Sequence, residues 1–217
     1  MSTPTQAAAI AALGSSDDEL GQVLALLLEA GVEEPQAMSL AAGDRRLLEL
    51  HRVLCGRDVE VAASCGVCGT ISSVVLAPST VPAAVPRSAC LGPGGGLRQP
   101  TYGDLLELPG DEGEAMAELL RRCVVGDPPR AAEPGAFEAV DDALTGPIVL
   151  ECVDCGATLR VAADAQRLVL EGLQLLAVDL ELEIHLIACA YGWSLQAIEA
   201  LPDDRRRRLA GHVADGR

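Results

Sequence analysis

Two short cysteine motifs are the residues of this chain best suited to chemistry. Each has the form Cys-x-x-Cys-Gly, at residues 65–69 and at residues 152–156. A gap of two residues lets a tight turn point both sulfurs at one ion, and the glycine permits backbone conformations that a Cβ atom disfavours. Four thiolates complete a tetrahedral shell around Zn²⁺ and leave no open position, which is typical of a structural site. The sequence therefore predicts one structural zinc ion per chain, held by Cys65, Cys68, Cys152 and Cys155.

The long separation between the two motifs requires a folded insert. The cost of closing a loop grows only logarithmically with its length, and structural zinc contributes on the order of 10 kcal/mol, so the separation is tolerable. A thiol oxidoreductase is one alternative, and a site that has lost its metal is another. Redox Cys-x-x-Cys motifs begin a helix next to a strand, whereas each motif here lies between two strand-like runs. This placement favours metal.

The remaining cysteines and the histidines form no pattern. Cys55, Cys123 and Cys189 lie in apolar helical contexts and are predicted to be small core residues, since free cysteine buries readily. Cys90 lies in a Pro- and Gly-rich segment and could be an exposed thiol. The histidines, His51, His185 and His212, lie in helical stretches without an evident partner, and no phosphate-binding glycine loop is present. We therefore predict no active site and no enzymatic activity.

The charge of the chain disfavours nucleic acid as a partner. The formal net charge is −16, and the acidic residues are spread along the whole sequence, so the surface should repel phosphate backbones. The one local exception is the arginine run Arg205, Arg206, Arg207 and Arg208. The longest apolar stretch, at about residues 168–190, is broken by charges and is not expected to enter a membrane. No secretion signal is evident, so we expect a cytoplasmic protein with reduced thiols.

Hydrophobic periodicity divides the chain into three segments. Residues 1–57 are predicted to form an N-terminal helical cap of two helices, at about residues 19–31 and 44–55. Residues 58–162 form a split zinc-ribbon β module, interrupted at about residues 78–146 by a Pro/Gly connector and a helical insert. Residues 163–217 form a long helix followed by short helices. The predicted fold class is α+β, with a zinc-ribbon-like module of two β-hairpins flanked by helices.

The C-terminal segment carries the candidate partner-binding residues. The long helix has a wide apolar stripe, so it should be packed on more than one side. Trp193 precedes Ser194, the predicted N-cap of the next helix, and is expected either to pack onto Ile198 or to contact a partner. Arg205–Arg208 are expected to form salt bridges on a solvated helix or to pair with an acidic surface of a partner.

Several motifs, taken in order, resemble a known family. Between and after the cysteine motifs the chain reads Leu-Arg-Gln-Pro-Thr-Tyr-Gly-Asp-Leu-Leu at residues 97–106 and Glu-Ile-His-Leu-Ile-Ala at residues 183–188. Gly-Asp-Arg at residues 43–45 precedes them, and Tyr-Gly-Trp-Ser-Leu-Gln-Ala-Ile-Glu-Ala-Leu-Pro at residues 191–202 leads into the arginine run. From about residue 40 onward the chain resembles the T4-like baseplate hub assembly proteins of contractile phage tails and phage-derived contractile injection systems.

The resemblance implies a non-enzymatic role in building a baseplate, as an assembly chaperone or a minor baseplate component. The partners would then be hub, spike or other tail proteins, and the chain would act in the cytoplasm or become part of a phage or phage-like particle. The four cysteines match the paired cysteines of the family. A zinc-ribbon regulator that binds nucleic acid is the main alternative, because the segment from Tyr191 to Arg208 could pass for a helix-turn-helix.

Overall fold

Helices and antiparallel hairpins alternate along the chain, so the fold is α+β, as predicted. The computed structural model describes residues 4–81, 88–92, 94–127, 134–140 and 143–216. The α-helices are α1 Gln6–Leu13, α2 Glu19–Glu29, α3 Leu40–Cys55, α4 Tyr102–Leu105, α5 Glu112–Cys123, α6 Ala165–Tyr191, α7 Leu195–Glu199 and α8 Asp203–Ala214. The strands are β1 Val59–Ser64, β2 Ile71–Leu76, β3 Ser88–Gly92, β4 Gly95–Arg98, β5 Val124–Gly126, β6 Thr145–Glu151 and β7 Thr158–Asp164.

The N-terminal cap has one more helix than the two that the sequence predicted. Helix α1 is almost entirely alanine and other apolar residues, so it lacks the alternation of apolar and polar faces by which a helix is recognised in a sequence. The Thr5 side chain caps it by accepting a hydrogen bond from the backbone N–H of Ala8. The predicted start of α2 is confirmed, with Asp18 as its N-cap. Helix α3 begins at Leu40, earlier than predicted, and ends at Gly56 as predicted, in the left-handed conformation.

Two antiparallel hairpins carry the cysteine motifs, as predicted. Strands β1 and β2 pair from Val59 opposite Leu76 to Ser64 opposite Ile71, and the first motif forms the turn between them. Strands β6 and β7 pair down to Glu151 opposite Thr158, with the second motif at the corresponding turn. Strand β1 lies against β7, so the two hairpins are neighbours.

The insert differs from its prediction. The connector at residues 78–100 was predicted as a loop or extended segment, but β3 and β4 form an antiparallel pair there, and β5 adds to β4. Glycine-rich strands carry little hydrophobic pattern, and β5, the second partner of β4, lies distant in sequence, so local signals miss this small sheet. The predicted helices at 102–108 and 112–125 appear as the shorter α4 and α5. Of the helix predicted at 136–144, the structure describes a 3₁₀-helix at Pro134–Ala139, and residues 141–142 lie outside the described residues.

The largest hydrophobic core takes side chains from all three predicted segments. Leu26, Leu47 and Leu173 are fully buried in it, together with residues of β1, β2 and β7. Helix α3 packs against α6, α2 packs against both, and α1 packs against α2 and α6. The hairpins are thus attached at their bases to one helical core, and their turns carry the cysteines away from it. No helix within the described part of the chain is long and apolar enough to cross a bilayer.

Two of the motifs that carry the family resemblance pack against each other in this core. Gly43 of α3 lies under the ring of Tyr102, which has no exposed surface. The next residue, Asp44, is also fully buried, and its carboxylate accepts hydrogen bonds from the backbone N–H of Leu144 at 2.7 Å and from Gln166 at 2.9 Å. The Gly-Asp pair therefore joins α3 to the insert and to the start of α6.

The same insert motif is held by a second buried carboxylate. The two oxygens of Asp104 accept hydrogen bonds from the Arg98 guanidinium at 2.6 and 2.8 Å, and one also accepts from the backbone N–H and the hydroxyl of Thr101. Burial opposes ionisation of this carboxyl, but Arg98 and Thr101 together lower the pKa of Asp104 to about 2. The arginine also donates to the backbone carbonyl of Arg122, which ties α5 to β4.

One arginine of the C-terminal run is buried. Arg206 of α8 is 1% exposed and donates to Glu183 of α6 at 2.8 Å, to Asp203 at 2.9 Å and to Gln6 of α1 at 2.5 Å. Gln6 in turn donates to the carbonyl of Leu54 in α3. The guanidinium thereby connects three helices directly and a fourth through Gln6, which corrects the expectation that the whole run lies on a solvated face.

Because Gly43 contacts the Tyr102 ring, a single methyl group added at Gly43 should destabilise the folded protein. In Gly43→Ala the new Cβ atom would overlap the buried tyrosine ring, and overpacking of this kind costs about 1–3 kcal/mol. Gly211→Ala is the matched control, since Gly211 also lies in a helix but has open space around it, and there alanine should stabilise by about 0.5–1 kcal/mol. Urea denaturation followed by circular dichroism measures both changes, and equal effects would contradict the packing described.

The arginine run allows a second comparison within one helix. Arg206→Ala leaves Glu183 and Gln6 without their buried partner, so the free energy of unfolding should fall by about 3–5 kcal/mol. Arg208→Ala should change it by less than about 0.5 kcal/mol, because Arg208 is 67% exposed in an ion pair with Asp204. The same denaturation experiment tests the difference, and a small effect of Arg206→Ala would show that the buried network is not needed for stability.

Candidate metal centre

The two cysteine turns have the same backbone hydrogen bonds. In the first turn, the N–H of Gly69 donates to the carbonyl of Cys65 at 2.8 Å, and the N–H of Cys65 donates to Thr70. In the second, the N–H of Gly156 donates to the carbonyl of Cys152 at 3.0 Å. Both glycines adopt positive φ angles, 77° and 69°, which a residue with a Cβ atom rarely adopts. The prediction that the glycine of each motif adopts a backbone conformation disfavoured by a Cβ atom is therefore confirmed.

The four predicted ligands meet at one point. Their sulfur atoms all lie within 4.8 Å of one another, although the two pairs come from hairpins separated by the whole insert. Two contacts cross between the hairpins, with 3.7 Å from Cys65 to Cys155 and 3.5 Å from Cys68 to Cys152. The first cysteine of each motif thus faces the second cysteine of the other. Within the described residues, no other group of three or more metal-ligating side chains comes together.

The sulfur spacing fits a tetrahedral metal ion better than it fits disulfides. A zinc–sulfur bond of about 2.3 Å places the corners of a tetrahedron about 3.8 Å apart, close to the two contacts between the hairpins. A disulfide requires about 2.05 Å, and all four thiols are free. Each cysteine supplies one corner, so the chain alone completes the shell. The donor set and its spacing therefore fit a structural ion.

The first cysteine of each turn is buried and the second is exposed. Cys65 and Cys152 are 2% and 3% exposed and pack with Leu159, whereas Cys68 and Cys155 face solvent. The site therefore has an inner side that rests on the hairpins and an outer side open to water.

Hydrogen bonds around the turns favour the thiolate at Cys152 and Cys68 but not at Cys155. Hydrogen bonds from the N–H groups of Cys155 and Asp154 lower the pKa of the Cys152 thiol to about 6. The Thr70 hydroxyl and N–H lower the pKa of Cys68 in the same way. The backbone N–H of Ala157 lowers the pKa of the Cys155 thiol, but the neighbouring sulfurs and burial outweigh it and raise that pKa to about 12. Four thiolates at this spacing repel one another, so the full set ionises only around a cation.

One contact between the two turns was not predicted. The Thr70 hydroxyl, just after the first motif, donates to the carboxylate of Asp154, inside the second, at 2.5 Å. This hydrogen bond aligns the turns independently of the sulfurs. A sequence gives no signal for such a pair, because Thr70 lies outside the Cys-x-x-Cys-Gly pattern and Asp154 occupies one of its variable positions.

The other cysteines only partly follow their predictions. Cys123 is fully buried in the small core of the insert, as expected, and Cys55 is half-buried. Cys189 is exposed, so its prediction as a core residue is wrong. It lies on α6 with its sulfur 3.7 Å from a ring nitrogen of His185, also exposed. The side chain of Cys90 lies outside the described residues.

Two of the histidines, His51 and His212, lie apart from the cysteine site. His51 is 4% exposed, its Nδ1 lies 3.1 Å from the carbonyl oxygen of Arg57, and burial lowers its pKa, so it serves as a neutral packing residue. His212 is exposed near the end of α8. Neither lies in the cysteine site.

The predicted partner-binding residues lie at the C-terminal end, away from the sulfurs in sequence. Trp193 is 39% exposed and its ring centroid lies 5.5 Å from that of Tyr191. Ser194 caps α7 as predicted, and Ile198 is buried against Ile187 and Ala210. The proposed contact between Trp193 and Ile198 stays a prediction.

Of the arginine run, three members are free to meet a partner and one is not. Arg205, Arg207 and Arg208 are exposed, whereas Arg206 is buried in the network with Glu183. The partner-binding prediction therefore does not hold for Arg206.

Comparisons with known proteins find no relative. No protein-family model matches the chain, and neither a curated protein nor a solved structure matches it. Any functional conclusion therefore depends on the sequence motifs and on the geometry of the cysteine site.

Proposed function

We propose that this protein is a non-enzymatic baseplate assembly protein of a contractile phage tail or contractile injection system, built around a structural Cys₄ zinc site. The main observation that supports the zinc site is that four sulfurs, from two hairpins distant in sequence, lie within 4.8 Å of one another. The motif order described above supports the family. The chain would act in the cytoplasm, as an assembly chaperone or as a minor component incorporated into the particle.

Zinc is the ion that the donor set favours. Four thiolates in tetrahedral arrangement select zinc or iron, and zinc has no redox chemistry of its own. A closed shell leaves no position for water or substrate, so the ion would stabilise the fold and not react. The hairpins would then form a zinc-ribbon-like clamp that fixes the insert at both of its ends.

The two rival functions are less well supported. A thiol oxidoreductase needs a pair of cysteines that reacts by itself, whereas here the sulfurs of both motifs form one group of four within 4.8 Å. A nucleic-acid-binding regulator needs a basic surface, whereas the net charge is −16 and one arginine of the basic run is buried.

The surface left for partners lies at the end of α6 and on α8. The motif residues Gly43, Asp44, Tyr102 and Asp104 are buried and serve the fold. Trp193 and the three exposed arginines are not buried in the fold, which supports a role for them in contacts with hub, spike or other tail proteins. Tryptophan and arginine are among the residues enriched in binding hot spots.

Metal analysis tests the zinc site directly. Protein purified under reducing conditions should contain about one zinc per chain, and Cys152→Ser should abolish it, because three thiolates no longer close the shell. Zinc at a thousandfold excess over its Kd stabilises a fold by about 4 kcal/mol, so the variant should unfold at a much lower temperature.

Cys189→Ser is the control for the metal experiment, since Cys189 is an exposed thiol outside the site and should keep the metal. Wild-type protein with no metal that reduces a disulfide substrate would instead support the oxidoreductase. If the purified protein contained iron in place of zinc, the metal-bound pair of hairpins would still be supported, with iron as its ion.

Affinity purification tests the role in assembly. A tagged chain from cells that make the particle should retain sheath, tube, hub or spike subunits, identified by mass spectrometry. Replacing Arg205, Arg207 and Arg208 together by alanine should reduce this retention at least tenfold, while Arg167→Ala, an exposed arginine paired with Glu171, should not. Recovery of nucleic acid in place of tail subunits, with steep salt dependence, would favour the regulator.

A further inference from the structure

Helix α6 is apolar on two opposite sides, and the structure covers only one of them. Leu173, Leu180 and Ile187, spaced by seven residues, face the interior and are 0%, 7% and 0% exposed. Leu175, Val178 and Leu182 lie on the other side and are 64%, 64% and 56% exposed. The wide stripe was expected to be packed on more than one side, but within the described residues this second side has no cover.

The exposed side has the spacing of a coiled-coil seam. Leu175, Val178, Leu182, His185 and Cys189 follow one another at intervals of three, four, three and four residues, and all five are exposed. This is the a and d pattern by which one helix receives the side chains of another. We call these five residues the α6 seam. Side chains at this spacing form one ridge along the helix, a shape that packs into the groove between the side chains of a second helix.

The seam continues into an apolar groove. A depression of about 590 Å³ lies between α6 and α1 and is lined by Ile10, Leu180, Ile184 and Leu195 among others. His185 belongs to both the seam and the groove. A helix lying on the seam could therefore bury side chains on its flank as well as at its centre.

The flanks of the seam are acidic. Asp179 and Glu181 occupy the e and g positions beside it, and both are exposed. The ion pairs on α6 join Arg167 to Glu171 and Arg206 to Glu183, and within the part of the chain that the structure describes no ion pair joins Asp179 or Glu181 to a cation. Charges at these positions select the partner of a coiled coil, and acidic flanks select basic ones.

We propose that the α6 seam docks an amphipathic helix of another protein, with apolar residues at its centre and arginine or lysine at its flanks. A second copy of this chain is the less suitable occupant, because its own seam has acidic flanks and no basic residue at these positions that could pair with Asp179 and Glu181. The net charge of −16 opposes self-association as well. This inference goes beyond the proposed function, since it identifies the chemistry of a partner wherever the chain acts.

A designed peptide tests the seam on the full-length, metal-loaded protein. The probe has about three heptads, with leucine at a and d and arginine at e and g, which also keeps it from pairing with itself. A second peptide carries glutamate at e and g, and a third scrambles the basic sequence. Fluorescence anisotropy at low salt should show the basic peptide binding at least tenfold more tightly than either of the others.

Variants of α6 locate the binding. Leu182→Gln should weaken binding of the basic peptide at least tenfold, whereas Val53→Gln, at a helical valine of α3 with 60% exposure, should leave it unchanged. The double variant Asp179→Lys, Glu181→Lys should reverse the preference toward the acidic peptide. Circular dichroism and zinc content, measured on each variant, separate a loss of fold or metal from a loss of docking.

Three results would overturn the proposal. Equal binding of the basic and scrambled peptides would show that the interaction depends on charge alone and not on the spacing of the apolar residues. Equal weakening by Val53→Gln would place the binding elsewhere. A dimer of the wild-type protein in sedimentation that Leu182→Gln dissociates would assign the seam to a second copy. None of these results bears on the zinc site, so the seam and the proposed function fail separately.

Discussion

The convergence of four thiols at the turns of two hairpins is the constraint on which the β part of the molecule depends. Each hairpin has only two strands, and an isolated pair of strands is marginally stable in water. Their bases rest on the helical core, but near their turns the buried residues are few: Cys65, Cys152 and Leu159. A cation shared by both turns would supply there the cohesion that a larger apolar core supplies elsewhere.

Sequence reasoning recovers features that follow from local pattern or from strict chemistry. The hairpins, the cap at Ser194 and the long helix ending at Gly192 all have such signals, and the two cysteine motifs have a spacing that few functions share. The β3–β4–β5 sheet has no such signal, because its glycine-rich strands show no alternation and their pairing is set by tertiary contacts. The hydrogen bond between Thr70 and Asp154 was missed for the same reason.

Exposure was harder to predict than secondary structure. Within a run of four identical residues, only Arg206 turns inward, because it alone faces Glu183 of α6 and Gln6 of α1. Conversely, Cys189 lies in an apolar sequence and was predicted to be buried, yet it faces solvent on the uncovered side of α6. Both cases depend on which neighbouring helix lies opposite the residue. That arrangement is set by contacts between residues distant in sequence, which a local sequence pattern does not reveal.

The unequal exposure of the four sulfurs has a kinetic consequence. Two of them, Cys68 and Cys155, face water while the other two are enclosed, so a bound ion could be approached by a chelator from one side without unfolding the protein. A site exposed on one side could bind its ion tightly at equilibrium and still exchange it rapidly. The affinity depends on the complete shell of four thiolates, whereas the rate at which the ion is lost depends on access to it. A clamp of this kind could be closed when the chain folds and opened later by a competing ligand, with the helical core intact.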